Sequence, residues 1–283
     1  MNKINNLIDS LIALSFAEDI GDGDHTTLCC IPPTVKGKSR LIIKEAGVLA
    51  GVEMAKRIIH HFDPTMKIEV FIMDGIEVKD GDVAFMVEGK VQSILQTERL
   101  VLNVMQRMSG IATTTRLYAG QLEGTGAKVL DTRKTTPGMR MMEKEAVRLG
   151  GGENHRMGLY DMILLKDNHI DFAGGIEQAI TCARNYMKNN GKDLKIEIEV
   201  RNFDELEEVL RVGGIDCIML DNFSIDDTKE AVRRIGGRFV IESSGGITFD
   251  TIRDYAACGV DFISIGALTH SIKSLDMSLK AVK

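Results

Sequence analysis

Between Asp131 and His169 six groups able to carry positive charge gather near turns: Arg133, Lys134, Arg140, His155, Arg156 and Lys166. The whole 283-residue chain has a formal net charge of −6. An acidic protein that gathers cations at turns is built to meet an anion there. A solvated surface loop would explain any one of these residues, but not the order in which they come. AKVLDT (127–132) reads as a short buried strand and RKTTPG as the loop after it. The helical run MRMMEKEAVRLG leads to Gly150–Gly151–Gly152, and DMILLK (161–166) is a second apolar strand that ends on a lysine. Both strands deliver charge at their C-terminal ends, where parallel α/β sheets and barrels place their chemistry. The stretch reads as a polyanion site.

The pattern continues along the chain. KIEIEV (195–200), DCIML (216–220), RFVIES (238–243) and DFISI (261–265) read as further strands. At their C-terminal ends lie Glu199, Asp221, the run Ser243-Ser244-Gly245-Gly246, and Gly266. Between the strands are helices with legible ends. Asn202 with Glu205 resembles a capping box, Ser224 and Thr248 are candidate caps, and each helix closes on glycine. This βα repeat has parallel strands but is short for eight units, so six or seven strands in an incomplete barrel are expected.

A smaller α+β domain should precede it, over residues 1–110, with the barrel over 111–270 and the tail 271–283 able to pack on the first domain. LIDSLIALSFAEDIG has the spacing of a helix ending near Gly21, and DGDHTT reads as a turn rather than a metal cluster. KSRLIIKEAGVLA reads as one or two strands, GVEMAKRIIHHFD as a helix, and residues 66–89 as antiparallel hairpins with D-G turns. Residues 92–122 form a long helical stretch that is apolar on more than one face. Val101, Leu102, Val104, Met105 and Met108 give it more apolar faces than one core demands, as an obligate interface would require.

DTRKTTPGMR, GGGENHRMGLYD and LLKDNH resemble the quinolinate phosphoribosyltransferase family (nicotinate-nucleotide pyrophosphorylase, carboxylating), and the resemblance spans nearly the whole chain. It implies the incomplete barrel and a reaction. The pyridine nitrogen of quinolinate attacks the anomeric carbon of 5-phosphoribosyl-1-pyrophosphate, pyrophosphate leaves, and the 2-carboxylate is lost as carbon dioxide. Arg99, alone an ordinary helix arginine, sits in a T-E-R-x-x-L-N pattern whose family counterpart reaches the neighbouring subunit's active site. The resemblance therefore implies a homodimer with a shared site, or a higher oligomer built from it, and leaves Arg107 structural.

Within that frame Arg99, Arg133, His155 and Arg156 suit a dicarboxylate, because guanidinium forks pair with carboxylates bidentately. Lys134 and Lys166 face the departing pyrophosphate. Glu199 and Asp221 suit the ribose and a Mg2+ ion, held directly or through water, unless they are merely salt-bridged to nearby lysines. Thr132, Ser243, Ser244, Gly245, Gly246, Ser264 and Gly266 are candidate phosphate and substrate contacts. No organic cofactor is expected. Glu145 and Ser243 depart from the family pattern, where an aromatic and an alanine are common. Two alternatives remain open: a phosphoribosyltransferase with another acceptor, like the molybdenum-linked homologues, and a non-catalytic phosphate-sensing barrel.

Composition narrows the class. Apolar residues make up 44% and charged ones 27%, as in an ordinary globular protein. The acidic balance argues against nucleic acid. No membrane-spanning run or apolar leader is legible, and a cytoplasmic protein is expected. Cys29, Cys30, Cys182, Cys217 and Cys258 are odd in number and show no C-x-x-C spacing, so buried free thiols are expected.

Overall fold

The computed structural model describes residues 2–282. The chain divides into two compact units. The first comprises Met1–Arg116, Thr135–Gly151 and Ala267–Lys283, and the second Leu117–Lys134 and Gly152–Gly266. Residues 135–151, read from the sequence as part of the barrel, thus cluster with the first unit. No helix among the described residues is long and apolar enough to cross a membrane.

In the first unit, strands β1 (Lys36–Ile43), β3 (Lys67–Val70), β5 (Val83–Lys90) and β12 (Met277–Val282) form an antiparallel sheet in the order β12-β1-β5-β3. The short strands β2 (Gly47–Val48) and β4 (Glu77–Val78) pair with each other. The hairpins expected over 66–89 are therefore modified. β3 pairs directly with β5, and β4 between them turns away to β2. The tail is held as a strand, from Lys38↔Val282 to Ile43↔Met277. DGDHTT is a turn that also caps. Asp24 accepts a hydrogen bond from the Thr27 N–H at 3.0 Å and starts the short helix His25–Cys30.

The long helix spans Val91–Gln121. Val101, Leu102, Val104, Met105 and Met108 are all buried within the chain itself. They are core residues, so the surplus apolar face expected for an interface is not there. Arg107 is tied down as a structural residue. It donates to Glu143 at 2.8 Å, to the Thr136 hydroxyl at 2.7 Å and to the Thr269 carbonyl at 2.9 Å. Glu143 is fully buried and also accepts from the Thr136 N–H, so this ion pair pins the loop that follows Lys134.

The second unit holds six parallel strands: β6 (Lys128–Leu130), β7 (Ile163–Leu165), β8 (Ile196–Val200), β9 (Cys217–Asp221), β10 (Val240–Ser244) and β11 (Phe262–Ser264). Their order, β6-β11-β10-β9-β8-β7, is that of a barrel cut open between β6 and β7. The opening is partly filled by chain rather than by a seventh full strand. The Glu153 N–H donates to Val129 and the Asp131 N–H donates to Glu153, giving one parallel bridge, Leu130↔Glu153. This is the incomplete barrel that the βα repeat implies.

Carboxylates secure the N-terminal ends of the strands. Asp216 accepts from the Ile196 N–H at 2.7 Å, and Asp261 accepts from the Ile241 N–H at 2.8 Å. Asn202 and Ser224 cap their helices as expected, each such cap being worth about 1 kcal/mol. Thr248 does not cap in the same way. The helix spans Ile252–Ala257, with Thr251 before it and Cys258, not Gly259, as its C-terminal cap. None of the five thiols is fully buried. Cys29, Cys30 and Cys182 are exposed and Cys217 and Cys258 half-buried, all of them free. Cys29 and Cys30 lie on the short helix His25–Cys30, Cys182 on the outer face of the helix Ile176–Asn190, and Cys217 at the start of β9.

Candidate active site

Register decides which side chains share the inside of the barrel. Opposed residues of parallel strands point to the same face, and the face alternates every residue. Glu199 pairs with Met219, Met219 with Glu242, and Asp221 with Ser244. Glu197, Glu199, Asp221, Glu242 and Ser244 therefore line one face. Lys166, one residue beyond β7, reaches Glu199 at 2.9 Å. Ser243 is the exception. It pairs with Leu220 and Ile263, both core residues, so its side chain turns to the other face. A small residue is what that packed layer accepts, in keeping with alanine being common there, and the cradle is left to Ser244, Gly245 and Gly246.

That cradle is shaped by backbone. Gly245 and Gly246 have φ of 93° and 63°, and Asn222 a φ of 56°. A Cβ on Gly245 would lie 2.2 Å from the Asn222 side-chain oxygen, so no other residue fits. The Asn222 amide N–H donates to Ser244, and its side chain donates to Asp221 at 2.8 Å, orienting that carboxylate.

The segment that fills the barrel opening delivers the next two cations. Asp131, fully buried, accepts from the Asn154 side chain at 2.7 Å and from the His155 N–H at 2.9 Å. His155 and Arg156 are thereby held beside the end of β6, from which Arg133 also springs. The Nε of Arg133 and the Nε of Arg156 are both buried and lack hydrogen-bond partners within the chain. Burial, with the charge of Arg133 second, pushes the Arg156 guanidinium below its ordinary value. Two like charges that are close and underpaired call for an anion between them. Thr132 accepts from the Lys134 N–H at 3.0 Å, and Lys134 itself is exposed. Arg99 is exposed too.

Two glutamates missed in the sequence complete the site. Glu197 and Glu242 are each about 1% exposed. The His155 ring lies 2.7 Å from Glu197 and 3.6 Å from Glu242. The three could be taken for a metal centre. Two ligands of one tetrahedral zinc stand about 3.3 Å apart, however, and 2.7 Å is a hydrogen-bond distance. Burial drives the Glu242 carboxyl well above the ordinary range, with the charge of Glu197 adding to it. For Glu197 burial acts the same way, but the bond and charge of His155, then bonds from Glu242 and Cys217, outweigh it and hold it low. Of the two, Glu242 is the carboxyl that its surroundings favour in the protonated form. Burial also pushes up the Cys217 thiol, which remains a neutral donor to Glu197 at 3.4 Å.

A stability prediction follows from Glu242. A carboxyl whose value is raised in the fold contributes most below the ordinary range of about 4.3, and that contribution drains away as pH rises towards the raised value. Glu197, His155, Ser264 and Lys166 are the polar groups facing it and remain in the variant. Glu242→Gln should therefore gain in Tm relative to the parent as pH goes from 5 to 8. A Tm difference that is flat with pH would contradict a protonated Glu242.

The inside of the barrel thus brings Lys166, Glu199, Asp221 and Ser244 onto one strand face, with Arg133, His155 and Arg156 at its open edge. Ser264 is turned to Glu242. The signal for the missed pair was present: a strand buried on both faces should be a near-continuous apolar run, and IEIEV and VIESS are not.

A parallel α/β barrel with cations, carboxylates and a glycine cradle at the C-terminal ends of its strands defines an enzyme acting on anionic substrates. The chain belongs to the quinolinate phosphoribosyl transferase family. The family's C-terminal domain profile matches residues 111–280 and its N-terminal domain profile residues 24–109. The chain is 43% identical to the chloroplastic nicotinate-nucleotide pyrophosphorylase [carboxylating] of Arabidopsis thaliana, over 96% of this chain and 82% of that one. It is 40% identical to a probable nicotinate-nucleotide pyrophosphorylase [carboxylating] of Bacillus subtilis, over 93% and 90%. Among solved structures, the nicotinate-nucleotide pyrophosphorylase of Francisella tularensis superposes with a TM-score of 0.91 at 40% identity, over 98% of this chain and 97% of that one.

Proposed function

We propose that this protein transfers the phosphoribosyl group of 5-phosphoribosyl-1-pyrophosphate to quinolinate and releases carbon dioxide, forming nicotinate mononucleotide and pyrophosphate. The carrying observation is the pair of buried, unpartnered guanidinium Nε groups of Arg133 and Arg156. With His155 beside them they suit an acceptor that brings two carboxylates.

The acceptor nitrogen forms its bond to the anomeric carbon as pyrophosphate leaves with the electron pair of the breaking C–O bond. Positive charge grows on the ribose in between, and Glu199 and Asp221 are the carboxylates available to stabilise it. Lys134 and Lys166 neutralise the leaving group, and Ser244, Gly245 and Gly246 hold the sugar's phosphate by hydroxyl and backbone N–H donors. Once the ring nitrogen is quaternised, its positive charge stabilises the electron pair left on the adjacent ring carbon as the 2-carboxylate departs as carbon dioxide, and that carbon then takes up a proton. Two hard-oxygen donors, Glu199 and Asp221, fit a magnesium ion held directly or through water. Bound there, magnesium would add positive charge beside the pyrophosphate. No organic cofactor is needed. The five free thiols support a reducing, cytoplasmic setting. Arg99, exposed and without a side-chain bond among the described residues of its own chain, supports a homodimer in which the partner's Arg99 completes the acceptor site.

Incubation with quinolinate, phosphoribosyl pyrophosphate and magnesium should yield carbon dioxide and nicotinate mononucleotide in equal amounts. Nicotinate should be a poor acceptor, because it leaves one half-buried guanidinium short of its carboxylate partner. That costs about 3 kcal/mol or more, over a hundredfold in kcat/KM. Comparable turnover of the two acids would refute the assignment of Arg133 and Arg156.

A further inference from the structure

Glu197 and Glu242 make no contact that the reaction itself requires, yet they occupy the interior of the barrel. A carboxyl on the inner face of a buried parallel strand is costly unless its oxygens are matched. Here the matching is specific. Glu197 spends one oxygen on the His155 ring at 2.7 Å and the other on the Cys217 thiol at 3.4 Å. Glu242 approaches the same ring nitrogen at 3.6 Å from a different strand, and its other oxygen has no hydrogen-bond partner.

The histidine is fixed a second time through its main chain. Its N–H donates to Asp131, which the Asn154 side chain also grips. Backbone and ring are therefore anchored by different elements: β6 with its following loop for the one, β8 and β10 for the other. A surface histidine needs no such arrangement, and its side chain here is only 9% exposed.

We propose that Glu197 and Glu242 are positioning residues for the acceptor: they hold the His155 ring by its Nε2 edge and so fix the direction in which the histidine meets a substrate carboxylate. The proposal rests on the assignment of His155 to quinolinate. Glu197 is the primary holder, because only its distance is that of a hydrogen bond. Glu242 supports it, bringing a carboxyl to the same nitrogen from β10, two strands away in the same sheet. A carboxylate acceptor at Nε2 also selects the ring form in which that nitrogen carries a proton. Carboxylates that orient metal-bound histidines are worth ~10–100-fold in affinity or activity, and the same range is expected here.

The test combines kinetics with the ring itself. Glu197→Gln should raise the quinolinate KM and Kd by about 10-fold or more, while the KM for phosphoribosyl pyrophosphate moves less than about twofold. Glu242→Gln should shift quinolinate in the same direction by less. In 15N-labelled protein the His155 ring signals, assigned by their loss in His155→Asn, should report a protonated Nε2 in the parent and should move in Glu197→Gln. An unprotonated Nε2 in the parent would overturn the proposal, whether or not any variant folds. So would a Glu197→Gln enzyme with parental quinolinate affinity, or one that loses both substrates equally. Failure of the parent to turn over quinolinate would instead sink the functional reading and leave the ring measurement standing.

Discussion

Asp221→Asn and Glu199→Gln should each lower kcat by roughly 100-fold or more, about 2.7 kcal/mol, while the Kd for quinolinate stays within about twofold. The asymmetry comes from when charge appears. The ribose is neutral in the bound substrate and becomes cationic only as pyrophosphate leaves, so a carboxylate beside it acts mainly in the transition state. Neither residue belongs to the group that meets the acceptor. The two variants should nevertheless differ in detail. Glu199 holds Lys166 at 2.9 Å, so its loss also frees the lysine and should raise the KM for phosphoribosyl pyrophosphate. Asp221 is oriented by Asn222 and pairs with no lysine or arginine among the described residues, so its variant should show the cleaner effect on kcat. Steady-state kinetics together with equilibrium titration of quinolinate separates these terms. Variants that mainly lose quinolinate affinity at normal kcat would show that these carboxylates serve the acceptor instead.

Much of this site could be read before any coordinates. Parallel strands put their working residues at one end, so the order of Arg133, Lys166, Glu199 and Asp221 along the chain already implied their gathering. What could not be read follows from two physical limits. Pleat parity is invisible when a strand is buried on both faces. Ser243 and Ser244 look alike in SSGG, yet the register sends one to the core layer and the other inward. Glu197 and Glu242 were hidden for the same reason: alternation in IEIEV suggests a half-solvated strand, whereas all five residues are buried. The second limit is that burial is a property of the whole fold. Val101 and Met105 read as surplus apolar surface, but the rest of the first unit covers them, and Cys29, Cys30 and Cys182 read as buried, but their helices turn them outward.

Activity should reappear when two dead chains are mixed. Arg99 lies in the first unit and the other acceptor cations in the second. It is exposed, and it makes no side-chain hydrogen bond or ion pair among the described residues of its own chain. Nearly every other arginine given a role here has a partner or is buried. A long, charged side chain left without any intrachain partner on an ordered helix is available to a second subunit. If the partner's Arg99 completes each site, Arg99→Ala and Lys166→Ala homodimers are both inactive, since every site in either lacks one residue. A mixed dimer differs. One of its sites combines the barrel of the Arg99→Ala chain, with Lys166 intact, and Arg99 from the Lys166→Ala chain. The other site lacks both. Random exchange of equal amounts makes half the dimers mixed, each with one competent site, so about a quarter of the parental activity should return. Exchange is verified independently with a size tag on one chain. A mixture that stays inactive while tagged and untagged chains demonstrably exchange would place Arg99 at work within its own chain and end the shared-site model.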